Sequence, residues 1–293
     1  MTMRSILRLP KQLNEKYARL AALERVNIAL SRAAATSSLR SVNPAEPITW
    51  EFGGFSQNQE DGIIDFLCRQ VQDPNRYFIE IGAGTGVENN TSWLAIAHRY
   101  SGLMVEGNPA NAEQCWRLLQ EFALGVTISS TFVEPDMVKN LADVALHRNP
   151  DFLSLDIDGI DYFVLSALVA AGIRPKIVAV EYNSVFGPDR SQTIVYRPGF
   201  NYFTFHNSGL YYGVSIAGWR RFFDTLGYQF VTVESNGVNA FFIDPGAFEK
   251  KFSAELRGKG RAFRENFYQL SKYRVPWDRQ VGMIQHLDFH DIK

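Results

Sequence analysis

Cysteine is almost missing from this chain: Cys68 and Cys115 are the only two, far apart and without metal-ligand spacing around either. That excludes a disulfide framework and a structural zinc site, and it fits reduced thiols in a reducing, cytoplasmic setting. No apolar run is long enough to span a bilayer, so no transmembrane segment is expected. An excess of charge of one sign is also lacking. Lys plus Arg is 30 and Asp plus Glu is 31, a formal net charge of -1, which argues against a surface built to grip nucleic acid. Internal repeats and low-complexity tracts are missing as well. What is present is an ordinary globular balance: 293 residues, 46% hydrophobic and 21% charged, enough to bury a large core without staples.

The near-zero charge hides a division. Residues 1–40 carry Arg4, Arg8, Lys11, Lys16, Arg19, Arg25, Arg32 and Arg40 against Glu15 and Glu24, so the arm is +6 and the remainder -7. The arm reads as a helix from about Lys11 to Ala35, with Leu13, Tyr17, Leu20, Leu23 and Leu30 loosely on one side. Such a segment suits organelle targeting, a membrane surface or a partner. The irregular stripe favours a peripheral helix packed on its own domain or on a second copy, a homodimer through the arm. Residues 1–47 are therefore an arm and linker, 48–245 the main domain and 246–293 a partly helical C-terminal extension.

From Trp50 the pattern is regular. Short β-branched runs begin at Tyr77, Gly102, Val126, Asp151 and Lys176, 24 or 25 residues apart. That spacing holds one helix and two short loops, the repeating unit of a parallel sheet. Asp161 reads as a helix N-cap and Gly172 as the stop of that helix. The rhythm breaks between Asn183 and Val214, a segment rich in Tyr, Phe, Gly and Asn. A helix at about Ser215–Leu226 follows, then runs at Tyr228–Glu234 and Val238–Ile243 joined by Ser235-Asn236-Gly237, a strong hairpin signal. The expected fold is α/β: a Rossmann-like, doubly wound, mostly parallel seven-stranded sheet ending in an antiparallel hairpin.

The first strand runs into a glycine loop, Glu80-Ile81-Gly82-Ala83-Gly84-Thr85-Gly86. In open α/β sheets ligands bind beyond the carboxyl ends of the strands, where this loop falls. Glu106, at the end of the second strand, is placed to accept both hydroxyls of a ribose. A dinucleotide fingerprint would want glycine at position 87, which is Val87, and Glu88 would face a pyrophosphate with like charge. A nucleoside with a cationic centre and no phosphate fits better, and S-adenosylmethionine (SAM) is such a molecule.

Several segments in order resemble the FkbM-like branch of the class I SAM-dependent methyltransferases: Ser56 to Leu67, Phe78 to Thr91, Gly102 to Asn108, Phe152 to Tyr162, Val178 to Pro188, Tyr211 to Ser215 and Gly237 to Ile243. The resemblance covers about two thirds of the chain and implies methyl transfer from SAM, usually to an oxygen of a small molecule or sugar. It leaves the arm and the last 45 or so residues outside.

Roles follow as expectations. Gly82, Gly84 and Gly86 face the methionine part of the cofactor, Glu80 anchors their loop, Glu106 holds the ribose with Asn108 beside it, and Glu134 reads the adenine. Ser56, Gln57 and Glu60 either close over the cofactor or form a helix start, with Ser56 capping and Gln59 as its capping-box partner. Asp156, Asp158 and Asp161 end the fourth strand; Glu181 and Asn183 end the fifth. Carboxylates converging at one rim repel unless they share a proton or a cation. Asp156, Asp158, Glu181 and Asn183 are the candidate ligands of a Mg2+ ion that would lower the pKa of an acceptor hydroxyl. The other reading makes Asp158-Gly159 a turn, Asp161 a cap and Asp156 a cofactor contact. In either case Asp158 and Glu181 are the general-base candidates. His206, among aromatics, is either a base or a packed lid residue. Tyr182, Tyr196, Tyr211 and Tyr212 are acceptor-pocket walls or simply core; His286 and His290 receive no role. Two other classes remain: a non-catalytic nucleoside-binding or scaffolding protein, and an NAD-dependent oxidoreductase.

Overall fold

A computed structural model describes the backbone of residues 3–293 and the side chains of Leu13 and of residue 16 onward. The side chains of Arg4, Arg8 and Lys11, three of the arm's basic residues, lie outside that description. The arm is helix α1, Met3–Ser38, longer at both ends than its apolar pattern suggests. Helix α2 (Glu60–Gln70) leads to β1 (Tyr77–Ile81), α3 (Ser92–Ala97), β2 (Ser101–Glu106), α4 (Pro109–Leu119) and β3 (Val126–Ser130). Then come α5 (Val138–Val144), β4 (Phe152–Leu155), α6 (Asp161–Ala170) and β5 (Ile177–Glu181). The irregular segment holds β6 (Gln192–Ile194) and α7 (Tyr202–Phe205); α8 (Ile216–Thr225), β7 (Gln229–Val233) and β8 (Asn239–Ile243) complete the domain. The extension adds α9 (Lys250–Leu256), α10 (Phe267–Tyr273), α11 (Trp277–Gln280) and β9 (Phe289–Asp291).

The main sheet has seven strands in the order β3-β2-β1-β4-β5-β8-β7. The first five are mutually parallel, and β8 runs antiparallel to both β5 and β7. Alternation along each strand sorts side chains to two cores. Ile79, Ile81, Leu153 and Leu155 face α5, α6 and α8 through Leu141, Leu165, Trp219 and Phe223. Phe78, Met104, Phe152 and Ala179 face α2, α3 and α4 through Ile63, Leu67, Leu94 and Leu118. Helices thus cover both faces, as an all-buried parallel sheet requires. The hairpin turn is held by the buried Glu234, whose carboxylate accepts the N–H groups of Asn236, Val238 and Asn239.

Helix α1 packs its C-terminal half on this frame: Val26, Ala29 and Ala33 are buried, Arg32 donates to the Gly54 and Ser56 carbonyls, and Arg19 pairs with Glu121 at 2.8 Å. Leu13, Tyr17, Leu20 and Ile28 stay exposed. The extension is tied to the irregular segment. Strand β6 pairs with β9, and the Ile292 N–H donates to the Ser191 carbonyl at 2.9 Å.

The strand order reverses at β1, whose neighbours β2 and β4 lead away in opposite directions, so a crevice opens beyond the carboxyl ends of β1 and β4. Gly82 sits in it with φ +92°, and a Cβ there would lie 1.7 Å from the Asp156 carbonyl oxygen. Gly82→Ala is therefore expected to lower stability by about 3 kcal/mol or more, from overlap and backbone strain together. Chemical denaturation checks this; a midpoint equal to wild type would contradict the packing described.

Candidate active site

The glycine loop is suspended between two carboxylates. Glu80, buried beneath it, accepts the Asn90 N–H at 2.8 Å and the Thr91 hydroxyl, and burial raises its pKa to about 7. Glu106, at the end of β2, accepts the Gly84 N–H at 2.7 Å on one oxygen and the Asn108 N–H at 2.7 Å on the other. Each oxygen keeps a free lone-pair direction. Gly84, at φ +55°, has nothing within 4 Å of a would-be Cβ, so its bare backbone faces open space. Gly86 instead packs toward Cys115, where a Cβ would lie 3.0 Å from the sulfur, and takes no part in the cavity wall. Asn108 caps α4, its side chain accepting the Ala110 N–H at 2.9 Å.

That open space is a cavity of about 690 Å3. Gly82, Gly84, Glu106 and Asn108 form one side, Thr131, Phe132 and Val133 the end after β3, and Asp156 to Ile160 the other side. Gln57, Glu88 and Phe200 border it as well. Its wall carries the carboxylates of Glu88, Glu106, Asp156 and Asp158, and no Lys, Arg or His among the described residues. Phe200 is a wall residue that sequence reasoning missed; it arrives from the irregular segment, whose path no periodicity announces. Glu134 does not line the cavity. Its oxygens accept the Tyr196 hydroxyl at 3.0 Å and the Gly199 N–H at 2.6 Å, so it anchors the insertion instead of reading an adenine.

Asp156, Asp158 and Glu181 converge, with one carboxylate oxygen from each within 4.8 Å of the others. Asp161 stands behind them. It is the first residue of α6 and not its cap, and its two oxygens accept the Ile157 N–H at 3.1 Å and the Gly159 N–H at 2.9 Å. This holds Asp158 at φ +52°, an unusual left-handed conformation that aims its side chain at the rim. Asp156 and Asp158 are partly exposed at the cavity wall, whereas Glu181 is 5% exposed and its Oε2 has no hydrogen-bond partner. Burial and the neighbouring carboxylates push Asp156 and Glu181 well above their usual range, and burial raises Asp158 to about 6. Hard oxygen donors with one orphaned buried atom suit either a shared proton or a divalent cation such as Mg2+.

The sign of the stability effect follows. Asp158 keeps its proton to a higher pH folded than unfolded, so ionising it destabilises the fold above about pH 6 and leaves it untouched below about pH 4. Asp158→Asn is expected to raise the melting temperature at pH 8 with little gain at pH 4. Asparagine tolerates the left-handed conformation. A gain of the same size at both pH values would contradict the assignment.

A second chamber of about 340 Å3 adjoins the first, and Gln57, Asp156 and Asp158 border both. The carboxylates therefore form the partition. Glu181, Tyr202, Leu210 and Tyr212 form its domain side, and Asn266, Tyr268, Gln269, Lys272 and Tyr273 close it from the extension. Those five residues lie outside every recognisable motif and are held at the site by direct bonds: the Asn266 N–H donates to the Ser184 hydroxyl, and Gln269 Nε2 donates to Asn183 Oδ1 and the Tyr212 hydroxyl.

Other expected site residues are placed elsewhere. Asn183 is fully buried; its amide nitrogen donates to the Leu210 and Tyr212 carbonyls and its oxygen accepts from the Val185 N–H and Gln269 Nε2. With both ends committed it braces the insertion and is no metal ligand. His206 borders neither chamber, and its Nδ1 pairs with the Ser208 hydroxyl at 2.8 Å. The Tyr182 and Tyr211 hydroxyls bond to the carbonyls of Arg264 and Asp288, so with Tyr196 on Glu134 only Tyr212 of the four is a chamber wall. Ser56 is not the cap of α2, whose N-cap position is Gln59 in a left-handed conformation without a side-chain cap bond; the Ser56 hydroxyl accepts the Asp61 N–H, and Asp61 Oδ2 accepts those of Gly54, Phe55 and Ser56, so the two fasten the chain before the helix. Glu60 is buried against Asn58 and Asn239, leaving Gln57 as the one of the three expected residues at the site; its neighbour Asn58 lines the second chamber.

No protein-family model matches the chain, and no curated protein matches it. Among solved structures it is similar to the O-methyltransferase TomG from Streptomyces achromogenes, solved with SAM, at 18% identity and TM-score 0.43, covering 75% of this chain and 96% of that one. An O-methyltransferase from Bacillus cereus is 16% identical with TM-score 0.42, covering 75% and 89%. The CurJ carbon methyltransferase is 13% identical with TM-score 0.42, covering 84% and 71%. At these values the similarities decide neither activity nor acceptor, which are argued from the site itself.

Proposed function

We propose that the chain is a SAM-dependent methyltransferase that methylates a hydroxyl of a small molecule or sugar. The observation that carries this is the first cavity: a glycine-cradled crevice at the sheet's switch point whose wall holds four carboxylates and, among the described residues, no basic one. A pyrophosphate would meet only negative charge there, which counts against NAD, whereas a nucleoside bearing a cation is attracted. When bound, SAM supplies a methyl group already activated on a sulfonium. Glu106 would accept the two ribose hydroxyls on its free lone pairs, the backbone at Gly82 and Gly84 would lie along the amino-acid part, and Phe132 would bear on the adenine. Calorimetric titration with SAM and NAD tests the reading: micromolar SAM binding supports it, and preference for NAD overturns it.

The partition then has a role. An acceptor in the second chamber lies across Asp156, Asp158 and Glu181 from the first cavity, so its hydroxyl proton passes to Asp158 or Glu181 as the oxygen attacks. Such a displacement needs alignment and proton removal but no protein nucleophile. Asp156, Asp158 and Glu181 would also be the residues to hold Mg2+, which would acidify a bound hydroxyl. The exposed stripe Leu13, Tyr17, Leu20 and Ile28 on α1 supports pairing of two copies through the arm. Light scattering checks this: deletion of residues 1–21 is expected to halve the mass, and an unchanged mass refutes it.

A further inference from the structure

The second chamber changes character from its buried end to its mouth. Among its walls Glu181 and Tyr212 are buried, Asp158 is half-buried and Lys272 is exposed, so the carboxylates lie deep and the ammonium at the opening. Asn266, Gln269, Lys272 and Tyr273, all chamber walls, recur at helical spacing along α10. From Asn266 to Lys272 that face runs about 9 Å, six residues of helical rise. Gln269 in its middle is fully committed: Nε2 donates to Asn183 Oδ1 and the Tyr212 hydroxyl, and Oε1 accepts the Ser184 hydroxyl. Lys272 is not committed. It is the only Lys, Arg or His on either chamber among the described residues, and no carboxylate oxygen of those residues lies within 4.0 Å of its Nζ. That Nζ stands 4.9 Å from the centre of the Tyr273 ring. Beside it is Gly209 at φ +63°, where a Cβ would lie 3.8 Å from Nζ, so glycine leaves the approach to the ammonium open. A lysine on an open surface needs no partner, because water solvates it. One on the wall of a chamber whose carboxylates it does not pair with puts a positive and a negative pole at two ends of one small space. At about 340 Å3 that space is near the lower end for small-molecule sites and holds roughly one ring.

We propose that the acceptor is a hydroxy acid: a ring of about one sugar's size whose hydroxyl lies against Asp158 and Glu181 and whose carboxylate is held at the mouth by Lys272. The hydroxyl half rests on the methyl-transfer reading; the acid half rests on Lys272 and its place in the chamber. The two poles fix the direction of entry. A carboxylate placed deep would meet acceptor-only oxygens of its own charge, and a hydroxyl placed deep finds the acceptors its proton needs. Burial and mutual repulsion hold protons on Asp156 and Glu181 above the usual carboxylate range, which lessens the repulsion an acid meets on entering. Lys272 is thus a specificity residue that selects the acceptor by charge and turns its hydroxyl inward.

Calorimetry with methyl β-glucuronide and methyl β-glucoside at neutral pH, with S-adenosylhomocysteine present, tests this on the full chain. The two differ only in a carboxylate in place of a hydroxymethyl group. The glucuronide is expected to bind about fivefold more tightly or better, the upper end for an ion pair in open water, because the chamber wall excludes part of the solvent. The preference should shrink as salt is added. Lys272→Met removes the charge and keeps an unbranched side chain; it is expected to abolish the preference while leaving glucoside affinity and melting temperature unchanged. Lys272→Arg is expected to keep the preference, as is Lys139→Met, which removes an exposed lysine of α5 that borders neither chamber. Equal affinities, tighter binding of the glucoside, no binding of either compound, or a preference that survives Lys272→Met would overturn the proposal. Failure of the methyltransferase reading is separate: SAM would not bind in the same calorimeter while the Lys272-dependent preference persisted.

Discussion

Replacing Glu106 by alanine is expected to weaken SAM binding by a hundredfold or more. The carboxylate has two tasks in the structure. It holds the glycine loop through the Gly84 N–H and the start of α4 through the Asn108 N–H, both at 2.7 Å. Its remaining lone pairs point into the cavity, where two ribose hydroxyls would bond to an ionised acceptor, each worth about 1.5–3 kcal/mol. Losing both gives roughly two to four orders of magnitude in affinity. Glu106→Gln separates the tasks. It keeps one acceptor oxygen but places an amide nitrogen against a backbone N–H, so binding is expected between alanine and wild type. Calorimetry on both variants, with melting temperature as the check on folding, reads the result. Wild-type affinity in Glu106→Ala would remove the cofactor reading of the crevice.

The second large effect is on turnover. Glu181→Gln and Asp158→Asn are each expected to lower kcat by about 10²–10⁴-fold, the usual worth of a positioned base, while SAM affinity changes little. Asp158 lies on both chambers and Glu181 on the acceptor side only, so Glu181→Gln is the cleaner of the two. The rate should rise with pH through about 6 as Asp158 ionises, because a base must be deprotonated to accept a proton. A chelator distinguishes the two ways these carboxylates work. Loss of activity restored by Mg2+ means they act through a cation, and full activity in excess chelator means they act as acid and base. SAM-consumption assays with the acceptor identified by mass spectrometry supply the readout. Wild-type kcat in both variants would leave the partition without a chemical role.

The geometry at the carboxyl ends of the strands was legible where it depends on local chain order. Gly82, Gly84 and Glu106 could be placed because a parallel sheet puts every strand's end at one rim, and a strand followed by glycine and then an acid at the end of the next strand is a local pattern. Asp156, Asp158 and Glu181 were placed for the same reason, from neighbouring strands β4 and β5. Asn183 and Glu134 were misread because type and position alone do not say where a polar side chain spends its hydrogen bonds. Both are consumed by the insertion, whose course is irregular. His206 looked chemical only because histidine titrates near neutrality; its nearest bond is to Ser208.

The sequence by itself determined the alternation of strands and helices, the hairpin at Asn236-Gly237 and the acidic, phosphate-averse character of the crevice. Hydrophobic period, turn chemistry and charge are all written within a few residues of one another. Only the tertiary structure decided what closes the second chamber. Asn266, Tyr268, Gln269, Lys272 and Tyr273 come from the C-terminal extension, where the Asn266 N–H donates to the Ser184 hydroxyl and Gln269 Nε2 to Asn183, 82 and 86 residues away along the chain. Such long-range contacts leave no periodic trace, because each partner segment's local pattern is the same with or without them. The net charge of -1 is likewise resolved only in space: Arg19 and Arg32 of α1 bond to Glu121 and to the Gly54 and Ser56 carbonyls, and Asp156, Asp158 and Glu181 gather at the carboxyl ends of β4 and β5.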